Sequence, residues 1–250
     1  MTTVSSRYSP TTKLYINVSI LSIALNATYF AFLIQSNKLY DIGKCWSSYV
    51  ILLLPVIELL KHYYVGKVLQ LAGWNIVFDL QSNASTSQKS GSKHQSKKLS
   101  PFSGVGGLLF ILILSMLFYG FICLILGAPL DQYEETTSLA AALTTLTILP
   151  ITLFIGHSGT IRLLFSEAFE LRSPIANSYL TLLKNNCIGV ILGAWGASVV
   201  APLDWDRPWQ VYPVPNVVGA IGGSFGMNVF TLLSTLYFIL CKSNHRKGIV

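Results

Sequence analysis

Residues 105–126 run for twenty-two positions without one charged side chain, and apolar runs of similar length recur along the chain. A helix needs about 20 apolar residues to cross a hydrocarbon core about 30 Å thick. Inside that core no water is available to the backbone, so each run must satisfy its own N–H and C=O groups as a helix. A chain of 250 residues that is 52% hydrophobic and 11% charged, with a mean hydropathy of +0.57, also has too little polar side chain to coat a soluble globule. The expected fold is all-α: a polytopic membrane helical bundle of about six transmembrane helices, forming one integral membrane domain over residues 1–250. The spans fall at 14–35, 46–69, 105–126, 137–156, 187–201 and 216–241. Glu58, Lys61 and His62 interrupt the second. The fifth is short and must borrow residues from Lys184 or Leu203. No basic, short-apolar, small-residue sequence precedes the first run, which is expected to stay as a signal anchor.

Charge assigns the orientation. With the N-terminus in the cytosol, fourteen Lys and Arg flank the spans on that side and three, Lys38, Lys44 and Arg207, lie on the other. That asymmetry is what the positive-inside rule requires for an even number of spans with N- and C-termini cytosolic. The net charge of +7 is thus a topology signal, and no nucleic-acid partner is expected. Asp131, Glu134 and Glu135 then share the lumenal face with Asp204, Asp206 and Arg207.

Residues 81–100, rich in Ser, Gln and Lys and without a large apolar side chain, are expected to form a disordered cytosolic linker. From Ser158 to Leu171, the apolar Ile161, Leu164, Phe165, Ala168 and Phe169 fall at helical spacing opposite Arg162, Ser166, Glu167 and Glu170. That pattern suits a helix lying in the membrane interface. Cys45, Cys123, Cys187 and Cys241 are too scattered for a metal site or a disulfide framework and read as buried thiols.

Two constellations stand out. Gly189, Gly193 and Ala197 recur every four residues in the fifth span, and the sixth carries two overlapping pairs, Gly219 with Gly223 and Gly222 with Gly226. Lipid gives helices no hydrophobic reason to associate, so small residues that let backbones approach mark packing faces. These faces suit either a tight hairpin of the two spans or docking of another protein's helix. The second constellation is the connection Asp204, Trp205, Asp206, Arg207, Pro208, Trp209. Its rings suit headgroup depth and its prolines stiffen the turn, while Arg207 can pair with a neighbouring Asp or hold a lipid phosphate. Within the spans, Glu58 and Lys61 share a helical face and suit a mutual ion pair, and Asn185, Asn186 and Asn228 can hydrogen-bond across the bundle. No catalytic residue, metal ligand set or cofactor site is assignable: Asp204 and Asp206 lack companion ligands and a nucleophile.

The wording of two stretches resembles the PIG-F family of glycosylphosphatidylinositol (GPI) anchor biosynthesis. One runs Leu192-Gly193-Ala194-Trp195-Gly196-Ala197, then Val200-Ala201-Pro202-Leu203-Asp204-Trp205-Asp206-Arg207-Pro208-Trp209-Gln210 and Tyr212-Pro213-Val214-Pro215. The other is Leu126-Gly127-Ala128-Pro129-Leu130, leading to Leu146-Thr147-Ile148-Leu149-Pro150. Together they cover roughly the C-terminal half. The resemblance implies a multi-pass protein of the endoplasmic reticulum membrane. It also implies a non-catalytic, stabilising partner of the GPI ethanolamine phosphate transferase catalytic subunits. Membrane lipid is a further expected partner, with GPI precursor one candidate. The alternatives from the residues alone are an enzyme transferring phosphoethanolamine through lumenal carboxylates, or a lipid transporter. The latter lacks an inverted repeat.

Three Asn-x-Ser/Thr triplets begin at Asn17, Asn26 and Asn83. None is expected to carry a glycan, because the first two lie within a span and the third is cytosolic. An endoglycosidase-sensitive mobility shift that maps to Asn83 would reverse the orientation.

Overall fold

The structure, a computed structural model, describes residues 9–44, 48–71, 101–165, 171, 173–200 and 207–247. The expected linker at 81–100 lies outside them. Among the described residues there are six long helices and no strand: α1 (Pro10–Gln35), α2 (Leu53–Leu71), α3 (Pro101–Ile125), α4 (Tyr133–Phe165), α5 (Pro174–Ala197) and α6 (Val214–Lys247). By length and composition four of them, α1, α3, α4 and α6, can cross a membrane.

Local signals set the helix limits. Ser9 caps α1, its Oγ accepting the Thr12 N–H at 3.3 Å, and Pro10 fills the first position, where a backbone N–H is not needed. At the other end Asn37 takes φ 52°, a left-handed conformation that asparagine tolerates, and the Lys38 N–H closes onto the Leu33 carbonyl at 3.1 Å. α2 begins at Leu53, later than the expected 46, because residues 49–52 form turns, with the Leu52, Leu53 and Leu54 N–H groups donating back to the Tyr49, Val50 and Ile51 carbonyls. α5 begins at Pro174, well before the expected 187. Its inward stripe of Ala176, Tyr179, Leu180, Leu183, Asn186 and Val190 falls at helical spacing and is apolar apart from Asn186 and the Tyr179 hydroxyl, while Lys184 and Asn185 point outward. Within α4 the helix breaks at Gly156, whose φ of 74° needs glycine. The span end set at 156 coincides with that break. Beyond it Ile161, Arg162, Leu164 and Phe165 face outward, and residues 166–170 of the expected interfacial helix lie outside the described residues.

Two apolar clusters fill the interior. One joins Leu33, Ile42, Leu54, Leu146, Val190 and Ile221 around one end of the helices; the other joins Val18, Val65, Phe154, Leu171, Tyr179 and Leu180 at the opposite end. The connections between α1 and α2, α3 and α4, and α5 and α6 meet at the first end. Ser138 Oγ donates to the Ile42 carbonyl at 2.6 Å, Tyr212 Oη to Thr136 Oγ1 at 3.2 Å, and Pro213 lies over Gly43. α3 leans chiefly on α4, through a 2.9 Å hydrogen bond between Tyr119 and Thr147 hydroxyls and His157 stacked over Gly107. Its other sides, including Leu114, Leu117 and Phe118, are exposed. Cys123 is buried and Cys187 half-buried, but Cys241 is exposed, against the expectation of a buried thiol.

The most intimate contact is the antiparallel hairpin of α5 and α6. Gly189 faces Gly223 and Gly193 faces Gly219, with Ala197 completing the seam. A methyl group on Gly193 or Gly223 would overlap the facing backbone oxygen, and one on Gly189 would lie 2.7 Å from both the Gly223 oxygen and Met227 Cβ. Glycine is required here because the obstacle is backbone, which cannot move aside. Gly222 and Gly226, by contrast, are exposed and meet nothing. Replacing Gly223 by Leu is expected to cost about 3 kcal/mol or more through overpacking, read as a lowered melting temperature in detergent. Gly222→Ala should not lower it.

Candidate functional site

Proline has no N–H, so Pro150 in the middle of α4 leaves the Leu146 carbonyl without its intrahelical donor. In an apolar bundle that oxygen needs another partner. Asn186 of α5 supplies it: its Nδ2 donates to Leu146 O at 3.4 Å. The other end of the same side chain is also used. Asn186 Oδ1 accepts from Ser224 Oγ at 2.9 Å and from Asn228 Nδ2 at 3.0 Å, and Asn26 Nδ2 of α1 donates to Ser224 Oγ at 3.2 Å. Asn228 Nδ2 also reaches the Ser224 carbonyl at 2.8 Å. All four side chains are buried, so one polar seam ties α1, α4, α5 and α6. Asn186 and Asn228 are among the residues singled out from sequence, whereas Asn185 is exposed. From sequence Asn26 stands out only as the start of an Asn-x-Thr triplet, and Ser224 does not stand out at all. The signal for Asn26 is its place on the stripe Leu14, Val18, Ser22, Tyr29, Leu33; for Ser224, its position one turn before Asn228.

Beside the seam lies a crevice of about 20 Å³, lined by Ser22, Glu58, Lys61, Tyr179, Asn186 and Asn228 among others. It has room for about one water, not for a lipid headgroup. Glu58 and Lys61 form an ion pair within α2, both buried, on the stripe Leu54, Glu58, Lys61, Val65 that faces the body. α2 also carries Lys67, and by length and composition it is not among the helices able to cross a membrane.

Asp204, Trp205 and Asp206 lie outside the described residues. Arg207 and Pro208 are exposed and Trp209 half-buried, in a short turn of Pro208–Gln210. Gln210, which the sequence pattern does not single out, is the anchor. Its Oε1 accepts the Arg207 N–H at 2.9 Å and its Nε2 donates to Val200 O at 3.4 Å, tying the turn to the end of α5. On the far side of the turn, Tyr212 binds Thr136, and burial pushes its phenol up to about 12, so it stays a neutral donor across the physiological range. Glu135 approaches Gly43 beneath Pro213, which brings the acidic connection of residues 131–135 next to this turn. Among the described residues no three His, Cys, Asp or Glu side chains converge on a metal-sized site.

The family model for the GPI biosynthesis protein family Pig-F matches residues 8–246, nearly the whole chain. The chain belongs to the Pig-F family. Curated relatives in that family include the glycosylphosphatidylinositol anchor biosynthesis protein 11 of Debaryomyces hansenii, 30% identical over 148 residues, which are 58% of this chain and 61% of the relative. The protein of the same name from Neurospora crassa is 30% identical over 173 residues, 68% of this chain and 59% of that one. The human GPI ethanolamine phosphate transferase, stabilizing subunit, is 30% identical over 126 residues, 50% of this chain and 54% of the relative. The chain thus spans about 60% of the length of the two fungal proteins. No solved structure matches it.

For this Pig-F chain the seam gives a measurable expectation. Asn186→Leu strands the Leu146 carbonyl and removes the acceptor used by Ser224 and Asn228, which should cost about 1–3 kcal/mol. Unfolding in a detergent titration should shift accordingly. Asn185→Leu, on the exposed face of the same turn, should shift it little.

Proposed function

We propose that this chain is a stabilising, non-catalytic subunit of GPI ethanolamine phosphate transferase complexes in the endoplasmic reticulum membrane. In this reading all six helices cross the membrane and both termini are cytosolic. The charge asymmetry supports that orientation. The meeting of alternate connections at one end, through Ile42, Ser138, Thr136, Tyr212 and Pro213, supports helices that run alternately up and down. The human relative's name supports the role.

The observation that carries the proposal is how the polar and small residues are divided. The buried polar groups of the seam bind one another and leave a crevice too small for a lipid substrate, while Gly222 and Gly226 of α6 present a bare small-residue stripe to the outside. Gly189, Gly193, Ala197, Gly219 and Gly223 serve the internal hairpin; Gly222 and Gly226 receive a helix of the catalytic subunit. The connection Asp204, Trp205, Asp206, Arg207, Pro208, Trp209 is the second contact, with the exposed Arg207 guanidinium suited to a lipid phosphate such as that of a GPI precursor.

Gly222→Leu, which meets nothing within the chain, is expected to leave the protein folded while the transferase subunits are lost from an affinity pull-down in mild detergent. Undiminished recovery would remove the docking role. Reconstitution of the purified chain alone with labelled phosphatidylethanolamine and a GPI acceptor should yield no transfer, and transfer by this chain alone would overturn the non-catalytic reading.

A further inference from the structure

α2 differs from the other helices in a way that the proposed role does not use. It has ten aliphatic residues yet places Glu58 and Lys61 on the single stripe that faces the body, with Leu54 and Val65. Its opposite face, Val56, Leu59, Leu60 and Tyr63, is apolar and exposed, as a lipid-facing surface requires. The two charges are paired with each other and open onto the crevice whose far walls carry Ser22, Tyr179, Asn186 and Asn228. α3, α4 and α6 are apolar enough to cross without such an arrangement.

We propose that α2 is a conditional span: it occupies the membrane only while Glu58 and Lys61 are paired and seated against the polar seam of the folded bundle. An unpaired charge in hydrocarbon is costly, and a paired one is tolerated where polar groups from neighbouring helices complete its surroundings. α2 therefore docks after the seam has formed. The pair is what makes its insertion depend on α1, α4, α5 and α6. This inference rests on the six-span reading.

The test uses the full chain in microsomes, with its native cysteines replaced and a single reporter cysteine at Leu59 on the lipid face of α2. A second version of the chain carries the reporter at Leu114 on α3. Labelling is by a membrane-impermeant maleimide. With Glu58 and Lys61 intact, both reporters should be shielded; labelling at Leu59→Cys in that background would sink the six-span reading itself. Glu58→Leu alone and Lys61→Leu alone should each raise labelling at Leu59→Cys severalfold while Leu114→Cys stays shielded. The double change Glu58→Leu with Lys61→Leu, which leaves α2 free of charge on that stripe, should restore the shielding. Three results would overturn conditional insertion and leave six spans standing. These are shielding at Leu59→Cys in both single variants, continued labelling in the double variant, or a parallel rise at Leu114→Cys.

Discussion

One backbone oxygen organises the centre of this bundle. Pro150 removes the donor that Leu146 would have had, and an unmet carbonyl in an apolar interior is expensive enough to dictate what stands opposite it. Asn186 stands there, and because an amide side chain has both a donor and an acceptor end, meeting the carbonyl leaves Oδ1 facing α6. Ser224 and Asn228 complete that end, and Asn26 follows Ser224. The chain of consequences runs from one proline to four helices.

The same register is enforced twice along the α5–α6 hairpin. Asn186 opposite Ser224 and Asn228 is continuous with Gly189 opposite Gly223, Gly193 opposite Gly219, and Asn216 donating to the Ala194 carbonyl at 3.2 Å. A shift by one residue would both break the polar bonds and drive side chains into the facing backbone. The glycines permit close approach; the amides choose which approach is made. Gln210 closes the hairpin at its turn, tying that connection back to the end of α5.

Much of this is legible in the letters. The long apolar runs place α1, α3, α4 and α6, and the recurrence of glycine every four residues points to the helices that touch. The break in α4 falls at Gly156, where the sequence pattern changes. What averaging over a window hides is a helix that carries its polar residues inward or along one side. α5 reads short for that reason: Lys184, Asn185 and Asn186 depress its hydropathy, although Ser173 and Pro174 form an ordinary helix start and Asn186 is the centre of the fold. Gln210 is hidden differently. Its neighbours Arg207 and Trp209 carry the conspicuous chemistry, but the amide makes the bonds. Which of several polar side chains turns inward depends on partners that spacing does not reveal, here the Val200 carbonyl ten residues back.

The lopsided attachment of α3 has a mechanical meaning. About half of its residues are exposed, and its main lateral attachments are the Tyr119–Thr147 bond and the His157–Gly107 stack onto α4. Thr147 is the residue after Leu146, whose carbonyl Asn186 holds. A tug on this outrigger arrives beside the joint on which the interior is hung, giving the exposed face of α3 a lever on the centre.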